Sequence, residues 1–267
     1  PFSPPSREAW TRLPDGAVVG RLLAAAADTY GAPTPDHVVA APGSQALIQL
    51  LPRLRPASDV AILGPTYGEH EACWRAAGHR VRVVSSADEL HDCEVAVLCN
   101  PNNPDGRLLG PEFLQRLAGG LAARGGWLVV DEAFADVAPA LSLAPQMDQP
   151  GCIVLRSFGK FFGLAGVRLG FALAAPPLCA SIRRALGPWA VGGPVCRIGI
   201  EALGDGAWIE EMRIWLAGQR LRLDRVLHEA SLEVAGGTDL YRLATVPDAA
   251  RIHRALGAAG ILVRSFE

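Results

Sequence analysis

Lysine is almost missing from this chain of 267 residues: the 25 basic residues are 24 arginines and one lysine, Lys160. A bias toward Ala, Gly, Pro and Arg explains most of that skew, but not the retention of a single lysine. Net charge is also scarce, with 27 acidic against 25 basic residues and no arginine-rich run. The electrostatic footprint of a nucleic-acid binder is therefore missing. Long apolar runs are lacking too. The most apolar stretch, residues 167–182, is interrupted by Arg168, Pro176 and Pro177, well short of the ~20 residues a spanning helix needs. The six cysteines (73, 93, 99, 152, 179 and 196) include no Cys-x-x-Cys pair and no neighbouring histidine spacing, which argues against a zinc site and a disulfide framework. They read as small core residues of a reducing cytoplasm. The start, Pro-Phe-Ser-Pro-Pro, carries no charged or apolar leader and no initiating Met, so no signal peptide is visible and the true start is expected elsewhere.

What is present is apolar material, 50% of the residues, enough for a large core in one or two domains. From Asp36 onward, short Val/Leu/Ile runs alternate with segments of helical period, the pattern of a largely parallel α/β sheet with crossover helices. The expected strands are residues 60–63, 81–84, 95–99, 127–130, 153–156 and 168–172. Several are apolar throughout, which implies a sheet covered on both faces. Helices are expected over residues 44–51 and from Pro111, where Phe113, Leu114, Leu117 and Leu121 recur at helical spacing. Beyond Gly187-Pro188, one charged connecting helix is expected over residues 195–230, followed by strand 240–246, helix 248–258 and strand 261–264. This gives an N-terminal segment (1–30), a large domain (31–190), and a connecting helix with a small α+β domain (191–267).

The chemistry-bearing residues sit at the ends of these elements. Lys160 lies in Ser157-Phe-Gly-Lys-Phe-Phe-Gly-Leu-Ala-Gly-Val-Arg168, directly after an apolar strand. A semi-buried loop of this kind would desolvate the ammonium and favour a Schiff-base amine. Ser157 and Arg168 supply a hydroxyl and a planar donor fork that could grip one phosphate. Asp131 ends the run Trp127-Leu-Val-Val-Asp131, at the strand end where open α/β sheets bind ligands. If buried there it needs a cationic partner; a protonated pyridine nitrogen would serve, keeping the ring an electron sink, and so would an arginine or local backbone. Three further segments are weak signals singly: the Asn100-Pro-Asn-Asn103-Pro-Asp-Gly turn, Gly43-Ser44-Gln45 at a helix start, and Tyr67 in Gly64-Pro-Thr-Tyr-Gly.

Together these residues resemble the pyridoxal-phosphate (PLP) enzymes of fold type I, the class I/II aminotransferases with the aspartate aminotransferase fold. The resemblance runs through nearly the whole chain in order. It implies that Lys160 links to the cofactor, that Asp131 pairs with the pyridine nitrogen, and that Asn103 hydrogen-bonds the ring's 3-oxygen. By the same likeness Tyr67 stacks on the ring, while Gly43, Ser44, Gln45, Ser157 and Arg168 hold the phosphate. A homodimer is implied as well, and the cysteine spacing gives no reason to expect a metal.

Within the family, the runs Gly159-Lys-Phe-Phe-Gly-Leu-Ala-Gly-Val-Arg-Leu-Gly-Phe171 and Pro65-Thr-Tyr-Gly-Glu-His70 are similar to the branch holding histidinol-phosphate aminotransferases and the threonine-phosphate decarboxylases of cobalamin biosynthesis. Phe134, where the aminotransferases generally have Tyr, and Gly187-Pro-Trp-Ala-Val191 favour the decarboxylases. The expected reaction is decarboxylation of L-threonine O-3-phosphate to 1-aminopropan-2-yl phosphate. The alternatives are transamination and an idle PLP-binding module. Arg264 aligns with a family position that contacts a substrate phosphate. Departures from the pattern are Phe134, Asp105 in place of Thr, Gly192 in place of Asn, and ends that look truncated.

Overall fold

The computed structural model describes residues 4–266; Pro1 to Ser3 of the expected N-terminal segment, and Glu267, lie outside the described residues. The elements run α1 (Arg7–Thr11), α2 (Gly16–Tyr30), β1 (Val38–Ala41), α3 (Ser44–Leu50), β2 (Asp59–Leu63), α4 (Glu69–Ala76), β3 (Arg80–Val84), β4 (Val95–Cys99), α5 (Pro111–Ala122) and β5 (Trp127–Asp131). They continue with β6 (Cys152–Ser157), α6 (Phe158–Phe161), β7 (Gly170–Ala174), α7 (Pro176–Leu186), α8 (Gly193–Gly204), α9 (Gly206–Glu229), β8 (Glu233–Thr238), β9 (Tyr241–Thr245) and α10 (Ala249–Ala258).

Seven strands form one sheet in the order β1-β7-β6-β5-β4-β2-β3. β6, β5, β4, β2 and β3 are parallel, whereas β7 is antiparallel to both of its neighbours. Two reversals return β1 to the direction of β6. Hence the carboxyl ends of β1, β2, β4, β5 and β6 share one edge with the start of β7.

Alternate strand residues feed two cores, because successive side chains of a strand point to opposite faces. Leu63, Leu98, Val130, Val154 and Phe171 pack with Leu22 of α2, Leu114 and Leu117 of α5 and Cys196 of α8. Ile62, Val97, Val129, Leu155 and Ala172 pack with Leu47 of α3, Trp74 of α4 and Ile182 of α7. Five cysteines are buried as expected, but Cys73 is half-buried on α4. Among the described residues, no helix is long and apolar enough to cross a membrane.

Several boundaries differ from the sequence reading. The connecting helix is broken into α8 and α9 at Gly204-Asp205-Gly206, where the Asp205 carboxylate accepts from Trp208 N at 3.0 Å and caps a new helix. The strand expected at 168–172 begins at Gly170, because Arg168 is left-handed (φ +55°). Residues 261–264 form no strand; the small sheet is the β8-β9 hairpin alone. Two strands went unpredicted: four-residue β1, and β8, whose Glu-Val-Ala-Gly-Gly-Thr composition hides its period.

Candidate active site

All ten residues singled out from sequence line one cavity of about 340 Å³ at the shared strand edge. Gly43, Ser44 and Gln45 follow β1, Tyr67 follows β2, Asn103 follows β4 and Asp131 ends β5. Ser157 ends β6, Lys160 lies on α6, Arg168 precedes β7, and Arg264 comes in from the exposed segment after α10.

An anion cradle is built where β7 passes the start of α3. Ser44 Oγ and Ser157 Oγ lie 2.8 Å apart. A Cβ on Gly43 would meet Arg168 Nη2 at 2.6 Å, and one on Gly170 would meet Ser44 N at 2.3 Å. Only glycine at both places lets the guanidinium and the β7 backbone close on the helix start. Arg168 is exposed and anchored by its Nη1, which donates to Ala165 O at 3.1 Å. Two hydroxyls, a guanidinium and backbone amides at one end of a cavity suit a phosphate.

At the end of β5, Asp131 is buried and accepts from two donors, His70 Nε2 on Oδ2 (3.0 Å) and Ala133 N on Oδ1 (3.1 Å). His70 was not picked out from sequence. It sits three residues after Tyr67 in the first turn of α4, so one motif places both an aromatic ring and a cation. Burial opposes the His70 charge, but hydrogen bonds to Asp131 and Cys99 outweigh it and raise its pKa to about 10. The His70, Cys99 and Asp131 donor atoms lie within 4.8 Å of one another. A carboxylate with two donors retains lone pairs for a third, cationic donor from the cavity.

Tyr67 is held by its hydroxyl, which donates to Gln45 Oε1 at 3.1 Å, and Gln45 Nε2 in turn donates to Glu69 at 2.7 Å. Burial, then Glu69 and Asp131, push the phenol's pKa up, so it stays a donor.

Lys160 corrects the sequence reading. It is exposed to the cavity from a short helix, not semi-buried in a loop, because its neighbours Phe158, Phe161 and Phe162 take the buried side and leave the lysine outward. Its Nζ lies 5.6 Å from the centre of the Phe134 ring.

Behind the wall lies a buried ion network that sequence reasoning also missed. Arg156 donates to Glu132 at 2.9 Å and to Asp136 at 2.7 Å, and covers the Tyr30 ring at 4.3 Å. Burial raises the Glu132 pKa, opposed by Arg156. Burial also opposes the Arg156 charge, but Asp136 and Glu132 outweigh it and push the pKa up. Glu132 follows Asp131 and Arg156 precedes Ser157, so the network ties the ends of β5 and β6 together.

Comparison with known proteins agrees with this geometry. Residues 6–266 match the family described as aminotransferase class I and II. A threonine-phosphate decarboxylase of Pseudomonas aeruginosa is 45% identical, the match covering 100% of this chain and 81% of that protein. Another threonine-phosphate decarboxylase, from Sinorhizobium sp, is 46% identical over 97% of this chain and 78% of its own length. Among solved structures, the histidinol-phosphate aminotransferase of Sinorhizobium meliloti in complex with pyridoxal-5'-phosphate superposes with a TM-score of 0.79, at 25% identity, covering 96% of this chain and 75% of that one. The fold, the strand-end cavity and these likenesses place the chain in the class I and II aminotransferase family.

Proposed function

We propose that the chain is a PLP-dependent carboxy-lyase acting on L-threonine O-3-phosphate and giving 1-aminopropan-2-yl phosphate, a step of cobalamin biosynthesis. The observation that carries this reading is the gathering of ten chemically matched residues in one cavity, around the chain's single lysine. The likeness to two threonine-phosphate decarboxylases directs it toward decarboxylation.

The residues present fit the two polar groups of the cofactor, its phosphate and its ring nitrogen. The Gly43-Arg168-Gly170 cradle takes a phosphate, and the free lone pairs of Asp131 take a ring N–H. When bound, PLP supplies an electrophilic carbonyl carbon and a ring that accepts the electron pair released at the substrate Cα. Asp131, held by His70, would keep a proton on the ring nitrogen. Asn103 and Tyr67 line the same cavity, where the Asn103 amide would hold the ring oxygen and the Tyr67 ring would pack against the cofactor. The primary amine of Lys160 would anchor the cofactor covalently and, once displaced and protonated, would donate a proton to Cα in the place vacated by carbon dioxide. Arg264 binds the substrate phosphate from the cavity mouth, a bidentate role for which its guanidinium is suited.

A homodimer belongs to this reading and is favoured by the exposure of Trp10, Leu13 and Trp189, each more than half exposed. A cytoplasmic location is favoured by six unpaired cysteines.

The deciding assay incubates the protein with L-threonine O-3-phosphate and, separately, with histidinol phosphate plus 2-oxoglutarate. Release of carbon dioxide without glutamate supports the proposal, whereas glutamate formation in the second mixture overturns it in favour of transamination. Lys160→Ala is expected to abolish both the activity and the borohydride-reducible absorbance of the bound cofactor.

A further inference from the structure

The turn carrying Asn103 is gripped from outside the cavity by the β8-β9 hairpin. Gly237 N donates to Asp105 O at 3.0 Å. The backbones meet so closely that a Cβ on Gly106 would lie 2.2 Å from Gly237 O, and one on Gly236 would lie 2.0 Å from Asp105 O. Side chains at these positions would push the hairpin off the turn. Tyr241, the first residue of β9, then reaches over the turn and donates its hydroxyl to the Asn102 carbonyl. The same oxygen accepts from Gly106 N at 2.7 Å. The Tyr241 ring meets Phe134 edge-on, centroids 4.9 Å apart at 68°, and Phe134 is the ring next to Lys160 Nζ.

These contacts have a directional consequence. A peptide unit is planar, so an oxygen pinned by two donors fixes the plane that Asn102 shares with the nitrogen of Asn103. Fixing that plane limits where the Asn103 side chain can point. Asn102 Nδ2 adds two anchors, donating to Pro65 O at 2.9 Å and to Asp105 Oδ1 at 2.7 Å. The turn is thus bound to the loop after β2 on one side and to the hairpin on the other. Burial pushes the Tyr241 phenol well above its ordinary range, with Cys99 and Asp105 adding to the shift, so the donor stays protonated.

We propose that Tyr241 is a positioning residue: by pinning the Asn102 carbonyl and bracing Phe134, it sets the aim of Asn103 and the space beside Lys160. The inference rests on the cofactor reading above and adds a residue from the hairpin to it. Asn103 lines the cavity, and with the cofactor bound its amide would donate to the ring oxygen and favour that oxygen's charged form over a proton shared with the Lys160 nitrogen. A hydrogen bond to the charged form of a group favours that form. A turn released from Tyr241 aims Asn103 less well, and the linked Lys160 nitrogen then holds its proton more tightly.

The test follows the near-visible absorbance of the cofactor-linked protein against pH. Tyr241→Phe keeps the ring and removes only the hydroxyl. Its absorbance midpoint is expected to rise by about 0.5–1 pH unit, roughly a 3–10-fold tighter hold on the proton. In an Asn103→Ala background the same substitution should add almost nothing, since the two changes act through one contact. A midpoint equal to that of the unmodified protein overturns the proposal, and so does a shift that persists undiminished without Asn103. Absence of the absorbance band from the unmodified protein overturns the cofactor reading, and this inference with it.

Discussion

Replacing Gly43 by alanine tests the anion cradle through two separable effects. Gly43 has φ +83° and ψ +156°, a region essentially confined to glycine, so a side chain there costs about 1–3 kcal/mol. For a chain of this size each kcal/mol lowers the melting temperature by about 2–4 °C, so a drop of about 2–12 °C is expected. The second effect is local. The new Cβ would lie 2.6 Å from Arg168 Nη2, and of the two the flexible guanidinium, not the backbone-bound Cβ, gives way. Displacing a charge-assisted donor removes about 1.5–3 kcal/mol from phosphate binding, which is a roughly 10–100-fold weaker hold on PLP. Arg168→Ala should weaken binding by a similar factor with a much smaller fall in melting temperature, because it adds no backbone strain. Titration of the cofactor-free proteins with PLP, alongside thermal melts, separates the two. A Gly43→Ala protein that melts early yet binds PLP as tightly as the unmodified protein would refute the cradle.

The folded-state pKa of His70, about 10, lies above its ordinary 6.5, so its contribution to stability is complete below pH 6.5 and lost as the pH rises through about 10. The cofactor-free protein should therefore melt progressively lower across that window and His70→Gln should flatten the decline; a flat profile in the unmodified protein would contradict the His70-Asp131 pairing. Arg156→Met leaves Glu132 and Asp136 buried without their shared cation and should cost about 3–5 kcal/mol in urea denaturation. Adding Glu132→Gln and Asp136→Asn should recover part of that loss, and no recovery would show that packing, not charge, dominates.

Chemistry at strand ends was readable in the sequence because each site residue is local: it lies within a few positions of the strand or helix that aims it. Asp131 and Lys160 could be placed from the apolar runs before them. What the sequence hid is pairing at a distance. The need of a buried Asp131 for a cation was clear, yet its partner His70 stands 61 positions away, and nothing in a linear reading orders its side chain toward β5. The Arg156 network and the Tyr241 contact with Asn102 are hidden in the same way. Helical periodicity runs straight through Gly204-Asp205-Gly206, because a cap can restart a helix in step with the one before. The run 261–264 has the composition of a strand, but pairing needs a neighbour, and none is present among the described residues. Lys160 was read as semi-buried since its neighbours are apolar; on a helix those neighbours and the lysine face different ways.

The solitary lysine, standing exposed at the cavity, makes the protein an unusual substrate for bioconjugation. Across these 267 residues only one side chain carries a primary amine. Within these residues, amine-directed dyes, cross-linkers and coupling resins would therefore react with one side chain, at the cavity. Occupancy of the cavity and labelling of Lys160 become mutually exclusive, so the fraction of dye found on the Lys160 peptide counts empty sites.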